Sequence, residues 1–483
     1  MAQDYDLTLI GARFPQLALG TLMAKRGHSV LIVHQGGENG TTPRNGLSEG
    51  YTFRKRPTPL FGLDGMGLLR KFLDEIGIGR MLVRKSYPPN PVSYQVVLPR
   101  HRLSVFPKRN RLLEELQREF PRSADSFKNL YEGLDPLSEL WYENYRDLPS
   151  LERTWQSLST FSNVVRGMRE TRGISKSLAG TGDDPLSVAG FAAVQHHFLG
   201  SYPVDGRPDP LSLALIHSIA RRGTFQEPTG TSSLSDLMKI RFTEFGGELK
   251  DGLRVTAVEA RGGEGLAVVG EGGMRIGTRS LSTTCDIASR IQGIDGKGKP
   301  ADHRSSFFPV RFYLGLDESA IPVGMEDNLF FLREDSGGPL GLRALYIALS
   351  PSGSRMAPGG KRAATVTGLV HGRALKGLTA ESISRIQADV VDALESVIPF
   401  LSDGMDFITS DLRGEIGEAL PRPMPGGALS WIPALIGRSR VRTSNRHRIA
   451  VLSTPPQELG IEGETLSALA AAGSLTKVLG KGK

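Results

Sequence analysis

Within the first 34 residues an apolar run, a glycine, a stretch of helical periodicity and a second β-branched run follow one another without a gap. Leu7-Thr8-Leu9-Ile10 is the first run and Gly11 ends it; Leu17 to Arg26 repeats apolar residues at helix spacing, and Gly27-His28 closes that helix. Ser29-Val30-Leu31-Ile32-Val33 then reads as a second strand. The arrangement is a β-α-β unit of the length that opens a dinucleotide-binding α/β domain. In such a unit the glycine after the first strand makes the turn, a second lets the backbone approach a pyrophosphate, and a third lets the helix pack on the sheet. Gly11-Ala12-Arg13-Phe14-Pro15-Gln16 keeps the first and places Arg13 and Gln16 at the other two positions. The acidic residue that would bind a ribose at the end of the second strand is replaced by His34.

The chain has 483 residues, 39% hydrophobic and 23% charged, enough for a large core and two domains. A net charge of +8 suits an anionic partner, but the basic residues are spread through the chain and no nucleic-acid surface is expected. Cys285 is the single cysteine, which excludes an intrachain disulfide framework, a cysteine-based zinc site and an iron–sulfur cluster. Met1-Ala2-Gln3-Asp4-Tyr5-Asp6 leads straight into a strand with no leader-like segment, and no run of 18 apolar residues follows. The expectation is a soluble cytoplasmic protein.

Further segments extend the opening pattern into a resemblance. Leu7 to Gln35 is similar to the flavin-binding start of the FAD-dependent amine oxidase and phytoene desaturase-like superfamily, which includes carotenoid isomerase and retinol saturase relatives. Gly50-Tyr51-Thr52-Phe53 followed by Pro57 resembles that superfamily's next element, with Arg54-Lys55-Arg56 in the stretch where an acidic residue and a glycine approach the flavin. Leu98-Pro99 to Phe120-Pro121 resembles the start of its substrate domain, and Pro228-Thr229-Gly230-Thr231-Ser232-Ser233-Leu234 its Pro-Gly-Gly turn. Gly246-Gly247-Glu248-Leu249 and Leu253 to Val258 match a strand pair in which the Val255 backbone would face the adenine. Ser282 to Asp286 resembles the return strand, and Phe307 to Leu316, Leu345 to Leu349 and Ala363 to Val370 the substrate-domain sheet. Arg448 to Leu452 resembles the last strand, Ser453-Thr454-Pro455-Pro456-Gln457-Glu458 replaces a glycine-rich acidic segment, and a helix near Glu464 to Leu479 follows.

The resemblance implies an α/β fold: a Rossmann-like FAD/NAD(P)-binding domain with an inserted α+β substrate domain. The first is assembled from residues 1–105, 205–300 and 420–483, the second from 106–204 and 301–419. It also implies the cofactor-facing positions Gly11, Ala12, Arg13, Gln16, His34, Arg54, Arg56, Gly230, Val255 and Glu458. Several of these depart from the superfamily's pattern at one presumed cavity, pointing to a changed ligand or none. Arg13 could plug an empty site while Arg54 to Arg56 stays a solvated loop; alternatively the four basic residues converge into a pocket for a phosphate or carboxylate.

Two functions follow from different classes. One is a noncatalytic or divergent binding scaffold for a small anionic or apolar ligand, or for a protein partner. The other is an FAD-dependent oxidoreductase acting on an apolar unsaturated substrate, carotenoid- or retinoid-like, or on an amine. No catalytic residue is assigned, since the flavin carries this superfamily's chemistry, and no metal is expected. His196-His197, flanked by Phe191 to Val194 and Phe198-Leu199, read as packed helical histidines. Trp141, Tyr142 and Tyr145 read as core, and Lys108, Arg109 and Arg111 as a solvated helix start. Arg261 to Gly265 and Gly270 to Gly273 read as hairpin turns. Contact of the insert helices with a membrane surface is an expectation by analogy alone.

Overall fold

The computed structural model describes residues 4–34, 41–43, 50–54, 57–146, 185–200, 204, 210–226, 234–261, 265–288, 291–294, 306–372, 374, 379–410, 422–423, 442–444, 449–452 and 460–480. The opening unit is β1 (Asp4–Ile10), α1 (Phe14–Lys25) and β2 (Val30–His34). The small ribbon β3 (Thr41–Pro43) and β4 (Thr52–Arg54) follows, then α2 (Leu68–Glu75), α3 (Arg80–Ser86) and the hairpin β5 (Tyr94–Leu98) and β6 (His101–Val105). Helices α4 (Arg109–Glu119), α5 (Ala124–Arg146), α6 (Pro185–Gly200), α7 (Pro210–Arg221) and α8 (Leu234–Glu244) lead to β7 (Glu248–Asp251), β8 (Val255–Arg261), β9 (Gly265–Gly270), β10 (Arg275–Thr284) and the short α9 (Cys285–Ala288). The remainder holds β11 (Ser306–Asp317), β12 (Asn328–Leu332), β13 (Ala344–Leu349), β14 (Lys361–His371), α10 (Ala380–Glu395), β15 (Met405–Thr409), β16 (Arg422–Pro423), β17 (Arg442–Ser444), β18 (Ile449–Leu452) and α11 (Gly460–Leu479).

The first sheet runs β17-β18-β10-β1-β2-β7, with β9 on β10 and β8 on β9. Its centre is parallel: β1 pairs with β2 (Leu7 opposite Val30) and with β10 (Ile10 opposite Thr283), and β7 adds beside β2. Both faces of β1 are covered, so it reads as a continuous apolar run rather than an alternating one. Helix α1 is buried from Phe14 to Ala24 because it lies between the sheet, α8 and α11, where Leu7, Leu17, Met238, Phe242, Ala468 and Leu475 share one core. A helix enclosed on all sides carries apolar residues all round. Strands β8 and β9, and β9 and β10, pair antiparallel, as hairpins at the two glycine runs require.

The second sheet runs β15-β11-β14-β13-β12-β5-β6, with β16 on β11. Its strands pair antiparallel except β12 with β5. The hairpin β5-β6 therefore belongs to this second sheet, although it falls within the 1–105 stretch grouped on sequence with the first. Alternation along β11 sends Val310, Phe312, Leu314 and Leu316 to the face covered by α10. Phe307 and Tyr313 point to the other face, which looks towards α6 and β4. There Phe198 of α6 stacks on Phe330 of β12 at 5.8 Å between ring centres. Helix α10 starts at a capping box in which Thr379 Oγ1 accepts from the Ser382 backbone N–H at 3.2 Å and Ser382 Oγ accepts from the Thr379 N–H at 2.7 Å.

Candidate functional site

The carboxyl ends of β1, β2, β7 and β10 form the edge at which an open parallel sheet binds ligands. Gly11 turns the chain there with φ of 102°, a left-handed conformation suited to glycine. The space beside it is taken by the protein's own side chains: a Cβ at Gly11 would lie 2.7 Å from Ile287 Cδ1 and 2.9 Å from Gln16 Nε2. Gln16 is completely buried, and its Nε2 donates to Thr284 Oγ1 at 3.4 Å. Its Oε1 is buried without a hydrogen-bond partner. Ala12 is buried, while Arg13 is half-buried at the N-cap of α1 in an extended conformation.

His34, at the end of β2, meets a partner that sequence reading missed. The parallel register sets Asp251 of β7 directly beside it, and His34 Nδ1 lies 2.9 Å from Asp251 Oδ1. The imidazole is 12% exposed and the carboxylate 80%. His34 Nε2 is buried without a hydrogen-bond partner. An acid thus stands next to the position where the dinucleotide pattern expects one, contributed by the neighbouring strand. Val255 is buried at the head of β8, four positions after Asp251. Arg54 closes β4, where only its backbone is described; Lys55, Arg56, Gly230 and Glu458 lie outside the described residues. The convergence of Arg13 with Arg54 to Arg56 falls outside them as well.

A cavity of about 40 Å³ lies where the inner face of the second sheet meets the segment after β4. Thr58 and Leu60 line it from that segment, Asn90 and Phe225 from two further stretches, and Tyr346 and Thr365 from the sheet. Tyr346 donates to Asn328 Oδ1 at 2.5 Å, and Asn90 Nδ2 donates to Thr224 Oγ1 at 2.9 Å. The start of α11 borders the same place, since a Cβ on Gly460 would lie 3.3 Å from Thr58 Oγ1.

Behind it sits Glu462, in the first turn of α11 and 2% exposed. Its Oε1 accepts from the Leu68 N–H at 2.9 Å, capping α2 from a residue remote in sequence. Burial pushes its carboxyl pKa up, with Arg222 acting in the opposite sense. Arg222 is held mainly by Asp64, at 3.0 Å from Nε and 2.6 Å from Nη2.

The other sequence candidates sit in structural roles. His196 and His197 are buried on α6, and His196 Nδ1 lies 2.6 Å from Ala192 O. Arg109 pairs with Asp135 and Glu132, and Arg111 lies 4.0 Å over the Phe106 ring, an aromatic contact not anticipated for that helix start. Trp141, Tyr142 and Tyr145 belong to α5, but their side chains lie outside the described residues. Among the described residues no cluster of His, Cys, Asp or Glu could hold a metal ion, and no helix is long and apolar enough to cross a membrane.

Two sheets in this arrangement, one mostly parallel with a β-α-β unit and one mostly antiparallel, make the fold of the FAD-dependent amine oxidases. A putrescine oxidase bound to putrescine superposes with a TM-score of 0.59 at 12% identity, over 98% of this chain and 99% of its own. Cyclohexylamine oxidase from Brevibacterium oxydans IH-35A gives 0.56 at 14%, over 99% and 100%. An oxidoreductase from Methanosarcina mazei gives 0.56 at 14%, over 96% and 99%. At these identities the superpositions show the fold alone. No protein-family model and no curated protein sequence matches the chain.

Proposed function

We propose that this chain uses the flavin-oxidase fold as a noncatalytic binding scaffold for a small ligand, its dinucleotide edge rebuilt with its own side chains. The observation that carries the reading is Gln16, whose buried amide packs against Gly11 and Thr284 in the turn where a pyrophosphate is otherwise cradled. His34 supports it, because its ring faces Asp251 rather than presenting a carboxylate of its own. These residues do not fit FAD in its usual pose, and no reaction step is derived through a flavin. The ligand is anionic or apolar, the protein works in the cytoplasm, and nucleic acid is not a partner.

A second reading is favoured by Gly11 itself. The left-handed turn, the start of α1 and the neighbouring carboxylate of Asp251 are elements of a dinucleotide site, and the fold is that of oxidases. On that reading the chain is an FAD-dependent oxidoreductase for an apolar unsaturated or amine substrate.

Back-substitution separates the two. The triple variant Arg13→Gly, Gln16→Gly, His34→Glu restores the glycines and acid of the dinucleotide pattern, and it is expected to bind FAD at least about ten-fold more tightly than the parent, a gain of about 1.4 kcal/mol. Equal or weaker binding by a folded triple variant, measured by flavin fluorescence, would show that these side chains are not what sets FAD affinity.

A further inference from the structure

The carboxyl ends of α1, α2, α8 and α11 meet at the end of the first domain opposite its ligand edge. Arg26, just past α1, donates from Nη1 to Thr476 Oγ1 of α11 at 2.9 Å, and its Nη2 lies 3.4 Å from Glu75 Oε1 at the end of α2. Lys25 donates to the Glu75 carbonyl, and Arg241 of α8 donates from Nη2 to the Ile76 carbonyl at 2.6 Å. Three large apolar side chains stand exposed around these ties: Ile240 beside Arg241 at 56%, Val478 two residues past Thr476 at 38%, and Leu82 on α3, which follows α2, at 51%. Single exposed apolar residues need no explanation, but a group of them at one end does. The charges there are lopsided. The acids of α2 and α8 are each matched, Asp74 by Arg70, Glu75 by Arg26, Asp236 by Lys239 and Glu244 by Arg241, and α1 and α3 carry none. Lys25, Arg84 and Lys85 are exposed and have no carboxylate partner among the described residues.

We propose that this end of the first domain docks on an anionic lipid surface, with Leu82, Ile240 and Val478 entering the headgroup layer and Lys25, Arg84 and Lys85 meeting its negative charge. The helical spacing of α3 supports the geometry: Val83 turns into the core, while Leu82 and Lys85, three apart, share the outward face. Aliphatic tips interleaved with lysine and arginine are what a charged bilayer accepts, since the tips sink into the boundary of headgroups and acyl chains while each cation is drawn to the surface. The same spacing suits other partners poorly. A protein interface needs a continuous fitted area and keeps lysine out of its centre, and a single-stranded nucleic acid is met by stacking aromatics. The contact lies on the first domain, away from the insert helices, and is independent of whether FAD binds.

The test is co-sedimentation of the full chain with vesicles of phosphatidylcholine alone and of phosphatidylcholine with about one third phosphatidylglycerol, at low and at high salt. The anionic vesicles are expected to bind at least about ten-fold more tightly, and added salt to weaken them. The double variant Arg84→Gln, Lys85→Gln is expected to lose about 30-fold, as two cations near an anionic surface imply. The double variant Leu82→Ser, Ile240→Ser is expected to lose about ten-fold or more through the apolar term. Val323 and Phe400 are exposed too, at 105% and 67%, but lie on the second domain, so Val323→Ser with Phe400→Ser should leave binding unchanged. Equal binding to the two vesicles, binding to neither, or unchanged affinity in both variants of this end would each overturn the proposal. So would a loss just as large in the second-domain variant, or an association of copies of the chain that the same substitutions abolish while vesicles are not bound.

Discussion

Glu462→Ala is expected to lower the unfolding free energy by about 2–4 kcal/mol, combining a buried N–H left without an acceptor and a cavity of a few atoms. The N–H is that of Leu68, and the space belongs to the junction where Gly62 already packs, a Cβ there lying 2.8 Å from Glu462 Cδ. Arg222 keeps its bidentate partner Asp64, so the loss stops short of orphaning a buried cation. Glu462→Gln separates charge from shape, because its amide oxygen still accepts from Leu68, and at neutral pH it is expected to stay within about 1 kcal/mol of the parent. The pH dependence follows from the direction of the shift. Burial raises the folded carboxyl above its ordinary value of 4.5, so its contribution to stability is fully present below the unfolded pKa and is lost as pH rises through the folded one. The parent minus Glu462→Gln difference in urea-unfolding free energy should therefore fall with rising pH across that window. A flat difference would place the carboxyl in a solvated setting and contradict the junction described.

Asp389→Ala is the second large effect, at about 3 kcal/mol, the lower end of what breaking a buried ion pair costs. Asp389 lies on α10 and accepts from Arg333 at 2.8 Å to Nη1 and 3.0 Å to Nη2, while the Arg333 side chain is 5% exposed. Asp335 also holds Arg333 at 2.6 Å, but it is 59% exposed and offers a screened partner only. Without Asp389 the arginine stays buried with that single carboxylate, and α10 loses its polar tie to the outer face of the second sheet. Asp389→Asn, which keeps an acceptor, should lose less. A denaturation midpoint unchanged in Asp389→Ala would mean that α10 is held by its apolar contacts alone.

Local periodicity made much of this molecule legible in its sequence. Leu7 to Val33 predicts β1, α1 and β2 because strand and helix spacings alternate there with a glycine at each change, whereas the strand segments near Val255, Thr283, Phe307 and Ala363 sit where the resemblance to the flavin-dependent superfamily implies them. The pairing of distant strands is not written in any local spacing, and that is where the site escaped. Asp251 reaches His34 only because β7 adds beside β2, and Glu462 reaches Leu68 only because α11 packs on α2. Gln16 was legible as a departure from glycine, but its partner Thr284 required the register of β1 with β10.

The claim that the fold now serves as a scaffold with a rebuilt dinucleotide edge is tested most directly by the absorbance spectrum of freshly purified protein, followed by titration with FAD. The account predicts a colourless protein that neither quenches flavin fluorescence nor gains thermal stability from added FAD. An oxidised flavin bound near one per chain would contradict it and make the chain a flavoenzyme.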